Sequence, residues 1–198
     1  MGKRQKFLAK RAASVQSVVD RSKYMEPASA RSGKENIDHV HLKEFVFVET
    51  EGDVDDNIRM LTRRLREKTI DVGVIGIGEN AHIAFNDPPA DFDTKQAYII
   101  VNLDSRCKKQ QVGEGWFKDE DEVPRQAVSM TPYQIMQCAH IISPVPHKVK
   151  ADAVKKVLSA KTVDPMVPGS LLKTHPDFQL FLDEESAANC SEEMLAGN

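Results

Sequence analysis

A short polar loop holds the side chains of this chain that are best suited to acid–base chemistry. Residues 76–89 have the sequence Gly-Ile-Gly-Glu-Asn-Ala-His-Ile-Ala-Phe-Asn-Asp-Pro-Pro. His82 carries the side chain that gains and loses a proton most easily near neutral pH. A carboxylate such as Asp87, five residues later, can orient the imidazole and stabilise its charged form. In an open pocket the pair would act as a general acid and base; a structural hydrogen bond that only holds the loop is the alternative.

The segment before this loop predicts where the loop lies in the fold. Residues 72–77 form an apolar run broken by glycine, which is typical of a strand buried on both faces. Ligands of open α/β sheets bind beyond the carboxyl ends of the strands. Gly76 and Gly78 would let the backbone turn sharply and approach a ligand closely, so Gly78 is a candidate substrate-binding residue. No third glycine opens a helix at the position that a dinucleotide fingerprint requires.

Strand and helix patterns alternate along the rest of the chain. Apolar runs predict strands at 45–48, 72–77, 98–103, 138–142 and 178–182. Helical spacing predicts a helix at 54–67 with Asp53 as its N-cap, and a second helix at 148–158. Thr131-Pro132 has the residue types of a further helix N-terminus. This alternation predicts the α/β class, with a Rossmann-like, mostly parallel sheet and flanking helices.

Composition excludes several classes of protein. The 198 residues are 40% hydrophobic and 29% charged, as in soluble globular proteins, and no apolar run is long enough to span a membrane. A net charge of −3 argues against a fold built to hold nucleic acid. Three scattered cysteines, at positions 107, 138 and 190, have no metal-ligand spacing and predict a reducing, cytoplasmic environment.

The amino-terminal segment differs from the rest of the chain. Residues 1–31 contain eight basic and two acidic residues, a net charge of +6. We interpret residues 1–42 as a basic tail or linker, with an organelle transit peptide as the alternative. Residues 43–190 then form the folded domain, and residues 191–198 a second tail.

The motif Gly-Ile-Gly-Glu-Asn-x-His-Ile-Ala-Phe-Asn-Asp-Pro at 76–88 resembles the active-site signature of the glucosamine-6-phosphate isomerase/deaminase family, which includes the 6-phosphogluconolactonases. The resemblance covers about residues 45–188. Its Ile-Ala-Phe-Asn portion favours the deaminase branch. Comparable segments lie at 110–117, 123–124, 128–131, 146–154 and 172–183.

This resemblance implies a reaction without metal or redox cofactor, in which an amino-sugar phosphate is isomerised and loses ammonia. His82 would assist opening of the sugar ring, with Asp87 as its carboxylate partner. Asn80 matches a position where many members have aspartate, and its amide cannot transfer protons but would still hold a hydroxyl or orient His82. Lys150 matches a phosphate-binding lysine, and Arg106 falls in a region where the family directs arginine toward phosphate.

The front of the chain departs from the family pattern. Members begin with a Ser/Thr-Gly-Gly phosphate loop and a later Asp-Glu-Tyr motif that supplies the base for the C2 proton, and residues 1–42 resemble neither. We therefore expect an N-terminally truncated member with an uncovered sheet edge, which would favour a homo-oligomer. Two alternatives to the deaminase follow: a relic that binds sugar phosphate or a paralogue without turnover, and a 6-phosphogluconolactonase-like hydrolase.

Overall fold

The computed structural model describes residues 7–9, 48, 50 and 52–196. Its strands are β1 (Phe7–Ala9), β2 (Val72–Val74), β3 (Tyr98–Asn102), β4 (Gln126–Met130), β5 (His140–Val145) and β6 (Phe178–Leu182). Its α-helices are α1 (Val54–Leu65), α2 (Ser105–Gly113), α3 (Pro132–Ile135), α4 (Ala151–Ser159), α5 (Glu184–Ala187) and α6 (Glu192–Leu195). Two 3-10 helices cover Lys148–Lys150 and Pro168–Thr174.

The described strands form two three-stranded sheets. The first has the order β2-β5-β6 and is entirely parallel, with Val72 opposite His140 and Ile141 opposite Phe178. The second has the order β1-β4-β3, in which β1 is parallel to β4 and β3 is antiparallel to it. Three of the four strand pairs are parallel, and helices flank them, which confirms the predicted α/β, mostly parallel fold.

Two of the predicted helix starts are present with their caps. The Asp53 side chain accepts a hydrogen bond from the Asp56 backbone N–H at 2.9 Å, at the start of α1. Thr131 Oγ1 accepts one from the Gln134 N–H at 3.1 Å, and Pro132 occupies the first turn of α3. These side chains satisfy backbone donors that have no partner inside the helix.

Several predicted boundaries are wrong. The strand predicted at 138–142 runs from His140 to Val145, because residues 136–139 close the turn after α3. The helix predicted at 148–158 begins as a 3-10 turn and becomes α-helical at Ala151. The strand predicted at 72–77 ends at Val74, and the strand predicted at 45–48 lies outside the described residues except for Val48.

Three elements lack a clear signal in the sequence. Helix α2 is mostly polar, and β4 is buried along nearly its whole length, so neither has a clear amphipathic period. Strand β1 lies within residues 1–42, which we predicted as a tail or linker; its apolar triplet pairs with β4. Within the described part of the chain, no helix is both long and apolar enough to cross a membrane.

Buried side chains form two apolar clusters, and one loop contributes to both. Ile83 belongs to the larger cluster, with Ile77, Ile141 and Val154. The smaller cluster contains Phe85 from the same loop, and its other buried members are Leu103, Cys107, Val123 and Ala127. Burying a side chain of this size contributes about 1.5–3 kcal/mol. The loop after β2 is therefore fixed at Ile83 and Phe85, the two large apolar residues that follow His82.

Candidate functional site

The loop after β2 folds back on itself at the carboxyl end of the strand. The Gly78 N–H donates to the His82 carbonyl at 2.8 Å, and the Ala81 N–H donates to the Gly78 carbonyl at 2.9 Å. Ile77 and Ile83 then form an antiparallel bridge. This tight turn brings His82 back beside Gly78 and places it where ligands of α/β sheets bind.

Strand β4 holds the second half of the loop. The Phe85 N–H donates to Ser129 Oγ at 3.0 Å. The Asn86 side-chain amide donates to the carbonyls of Ile83 and Met130, both at 2.8 Å. Phe85 and Asn86 are buried, so these bonds satisfy polar groups that would otherwise lose hydration without compensation. They fix the position of Asp87, the next residue.

His82 and Asp87 are in contact, as their spacing predicts. The imidazole Nδ1 lies 3.0 Å from Asp87 Oδ1, and the two side chains are 2% and 10% exposed. Nδ1 is the ring nitrogen in contact with the carboxylate, and Nε2 is the second ring nitrogen that can exchange a proton. In so little water the carboxylate stabilises an imidazolium more strongly than it would at the surface.

Asn80 joins both members of this pair. Its Nδ2 donates to Asp87 Oδ1 at 2.9 Å, and its Oδ1 accepts from the His82 backbone N–H at 3.1 Å. The amide thus orients the carboxylate and fixes the main chain that carries the imidazole. Its contacts agree with the orienting role that the sequence left open, and they involve no proton transfer.

Gly78 makes room for the imidazole. A Cβ built on this residue would overlap the Nε2, Cε1 and Cδ2 atoms of His82, so the ring lies directly against the glycine main chain. His82 as a whole is 1% exposed. The sequence led us to expect an open pocket around this ring, and the structure differs because the loop closes over it.

Ala81, between Asn80 and His82, has a φ of 68°. This left-handed conformation is unfavourable for a residue with a Cβ. The Ala81 carbonyl accepts a hydrogen bond from the Gly169 N–H at 2.8 Å, which ties the loop to the 3-10 helix 168–174. Packing and this bond therefore hold the backbone in a conformation that it would not adopt alone.

The two predicted phosphate-binding residues lie apart from this hydrogen-bonded group. Lys150 is half-buried and ends the 3-10 turn after β5, at the same end of the sheet as the His82 loop. Arg106 is exposed in the first turn of α2. The contacts that join His82, Asp87 and Asn80 to one another include neither of these side chains.

A second group of ionisable side chains lies near Lys150. Potential metal-ligating atoms of His147, Asp183 and Glu185 lie within 4.8 Å of one another. The Asp183 carboxylate already accepts hydrogen bonds from the backbone N–H groups of His147 and Ser186, at 2.9 and 2.7 Å. These two bonds hold the pKa of Asp183 below its usual value, and they give the carboxylate a structural role at the start of α5.

Sequence reasoning missed the support that β4 and α2 give to the site. Ser129 lies in a segment that resembles the family, but its hydroxyl contact with Phe85 depends on the pairing of distant parts of the chain. Gln111, on α2, is 3% exposed although its side chain is an amide. Helical spacing from Cys107 would have placed it on the buried face, had α2 been predicted.

Curated proteins with similar sequences are named as one enzyme. The chain is 33% identical over 152 residues to a glucosamine-6-phosphate deaminase of Staphylococcus epidermidis, a match that covers 77% of this chain and 59% of that protein. The chain thus spans less than two thirds of the length of the curated relatives it matches. No protein-family model matches it.

Solved structures give the same relationship. A monomeric glucosamine-6-phosphate deaminase is 27% identical and superposes with a TM-score of 0.66 over 73% of this chain and 58% of that one. A 6-phosphogluconolactonase from Trypanosoma brucei has a TM-score of 0.51, covers 72% of this chain and 56% of that one, and is 17% identical, which shows a shared fold alone. In both sequence and fold, about three quarters of the chain is similar to glucosamine-6-phosphate deaminases.

Proposed function

We propose that this protein converts glucosamine 6-phosphate and water to fructose 6-phosphate and ammonia by acid–base proton transfer. The observation that carries the proposal is the buried contact of His82 Nδ1 with Asp87 Oδ1 at 3.0 Å. The names of the relatives supply the substrate, since they are glucosamine-6-phosphate deaminases. The pair supplies a group able to move a proton at neutral pH.

In this proposal His82 acts in opening the sugar ring. Nε2 would exchange a proton with the ring oxygen of the sugar. Asp87 would stabilise the imidazolium that forms when the imidazole of His82 holds this proton. Asn80 orients the Asp87 carboxylate through its 2.9 Å hydrogen bond. Because His82 is 1% exposed, substrate reaches Nε2 only when the atoms that cover the ring move. The proposal assigns the transfer of the C2 proton to no described residue.

Three further residues have proposed roles in binding. Lys150 and Arg106 would contact the phosphate group as cations. Lys150 has the better support, because it follows β5, the parallel neighbour of β2, at the end of the sheet where the His82 loop lies. Gly78 would contribute backbone close to the sugar.

The decisive test incubates purified protein with glucosamine 6-phosphate and measures ammonia and fructose 6-phosphate. We expect both products in equal amounts, and loss of both in His82→Ala. A His140→Ala variant serves as the matched control, since it removes an exposed imidazole that also contacts an aspartate. Product formation that is unaffected by His82→Ala, or no product from the wild-type protein, would contradict the proposal.

A second candidate function is supported by the burial of His82. A ring that is 1% exposed also suits a protein that binds sugar phosphate, or a paralogue, without turnover. Calorimetry would then show glucosamine 6-phosphate binding in the absence of product. For the lactonase alternative the structural likeness, at 17% identity, supports only the fold.

We further propose a cytoplasmic location and self-association. No disulfide joins Cys107, Cys138 and Cys190 in the described part of the chain, which suits a reducing compartment. Recovery of the tagged protein in an organelle fraction of the cells would contradict the proposed location. A monomer mass measured by light scattering at micromolar concentration would contradict self-association.

A further inference from the structure

Gln111 on α2 has a buried amide with an unpaired donor. The residue is 3% exposed, and among the described residues its Nε2 has no hydrogen-bond partner. The preceding residue, Gln110, is 8% exposed but donates from its Nε2 to Glu114 Oε1 at 2.6 Å. Folded proteins leave few buried polar groups without a partner, because such a group loses its hydration without compensation.

The position of Gln111 relates this amide to the His82 loop. Gln111 lies one helical turn after Cys107, so both side chains are on the same face of α2. Cys107 packs in the apolar cluster that contains Phe85, and Phe85 lies between His82 and Asp87 in the chain. The buried face of α2 is therefore packed against the segment that carries the acid–base pair.

The backbone of Gln111 is also fixed. Its carbonyl accepts a hydrogen bond from the Trp116 N–H at 3.1 Å, within the turn that ends α2. A side chain on a fixed backbone in a buried position retains few rotamers. The donor is therefore held in place before any ligand binds, which lowers the entropic cost of using it.

We propose that Gln111 is a substrate-binding residue whose Nε2 donates a hydrogen bond to an oxygen of the sugar phosphate bound at His82 and Asp87. This inference rests on the proposed function, because it takes the ligand from there. A neutral N–H donor fits a sugar hydroxyl and a phosphate oxygen equally well. In both cases the acceptor is an oxygen atom. Titrations with a sugar phosphate and with inorganic phosphate distinguish the two.

The test is calorimetry of fructose 6-phosphate, the proposed product, in the absence of ammonia, with the wild-type protein, Gln111→Met and the matched control Gln110→Met. Methionine keeps the length of the side chain and removes the donor. We expect Gln111→Met to raise Kd about tenfold and to leave Tm equal or higher, because an apolar group replaces an unpaired amide. Gln110→Met breaks the bond to Glu114, so it should lower Tm and change Kd less than about twofold.

A parallel titration with inorganic phosphate identifies the acceptor. If Gln111→Met weakens phosphate binding as well, the acceptor is a phosphate oxygen; if phosphate binding is unchanged, it is a sugar oxygen. In the wild-type protein, the side-chain amide NMR signal of Gln111 should shift when glucosamine 6-phosphate is added. This measurement does not depend on whether the Gln111→Met variant folds.

The outcomes separate this inference from the proposed function. Wild-type affinity in Gln111→Met, or an amide signal that does not move while the sugar phosphate binds, would overturn the role of Gln111 and leave the proposed function intact. A wild-type protein that binds no sugar phosphate would overturn both.

Discussion

His82 approaches Asp87 through Nδ1 at 3.0 Å, and His140 approaches Asp177 through Nδ1 at 2.6 Å. The first pair lies in the loop beyond the carboxyl end of β2. The second lies at the opposite end of the same parallel sheet, since His140 begins β5 and Asp177 directly precedes β6. One chain thus contains the same two chemical groups, in similar contact, at the two ends of its sheet.

Their surroundings differ far more than their distances. The side chains of His140 and Asp177 are 54% and 41% exposed, against 2% and 10% for His82 and Asp87. Water and salt screen an exposed pair, which therefore contributes little to stability. The buried pair has a third side chain, Asn80, that orients its carboxylate. The pair that we propose to be catalytic has the longer distance of the two. Its burial and its hydrogen bond from Asn80 are what distinguish it.

The largest contrast is expected from removing each carboxylate in turn. Asp87→Asn keeps the size of the side chain but no longer stabilises an imidazolium, so kcat/KM for glucosamine 6-phosphate should fall by about 10²–10⁴. Asp177→Asn should change it by less than about twofold, because a screened surface pair contributes little. Steady-state kinetics on both variants measures the contrast, and equal activity of the two would remove the distinction between the pairs.

The contact between His82 and Gly78 predicts the next largest effect, on stability. Gly78→Ala forces a Cβ into the imidazole, and overpacking of this kind costs about 1–3 kcal/mol of unfolding free energy. Gly76→Ala is the matched control, because a Cβ there has no atom within 4 Å; we expect a change within about 0.5 kcal/mol. Urea denaturation compares the two, and equal stability would show that the ring is not packed against Gly78.

The sequence was sufficient to predict the buried pair but not its surroundings. His82, Asp87 and Asn80 lie within eight positions of each other, so a single loop after a recognisable strand brings them together. The bonds from Phe85 to Ser129 and from Asn86 to Met130 each span 44 positions. They depend on β4, whose burial on both faces removes the alternation that would have identified it.

The closed environment of His82 also depends on contacts with distant parts of the chain. Polar residues and glycines after a strand are typical of an open binding loop. Ile83 and Phe85 instead anchor this loop in two separate apolar clusters, and the backbone bond from Gly169 to Ala81 draws it against a distant 3-10 helix. Only tertiary packing reveals that the imidazole is covered.

Asn80 offers a smaller test of what the buried pair requires. Asn80→Ala removes two hydrogen bonds and should lower the free energy of unfolding by about 1–2 kcal/mol. Asn189 also donates to an aspartate, Asp152 Oδ1, at 2.7 Å, but at the exposed surface. Asn189→Ala should therefore cost less than about 0.5 kcal/mol. Chemical denaturation of both variants checks this, and a larger loss from Asn189→Ala would contradict the argument from burial.

The smallest effect is expected at the exposed pair and concerns pH. The hydrogen bond from His140 is the main cause that holds the pKa of Asp177 below its usual value. Because the folded-state pKa lies below the unfolded one, this contribution to stability is present above the unfolded pKa and is lost as the pH falls through the folded one. His140→Ala should raise the pKa of Asp177 toward its usual value, as measured by NMR of its carboxyl carbon.

Salt should act on the same carboxyl group. At an ionic strength near 1 M the Debye length is about 3 Å, so the pKa of Asp177 should rise part of the way toward the value it has in His140→Ala. Asp87, with a side chain that is 10% exposed, is screened less, and the difference in kcat/KM between the wild-type protein and Asp87→Asn should persist. A salt-independent pKa of Asp177 would mean that the surface pair is shielded like the buried one, and exposure would no longer explain the difference between them.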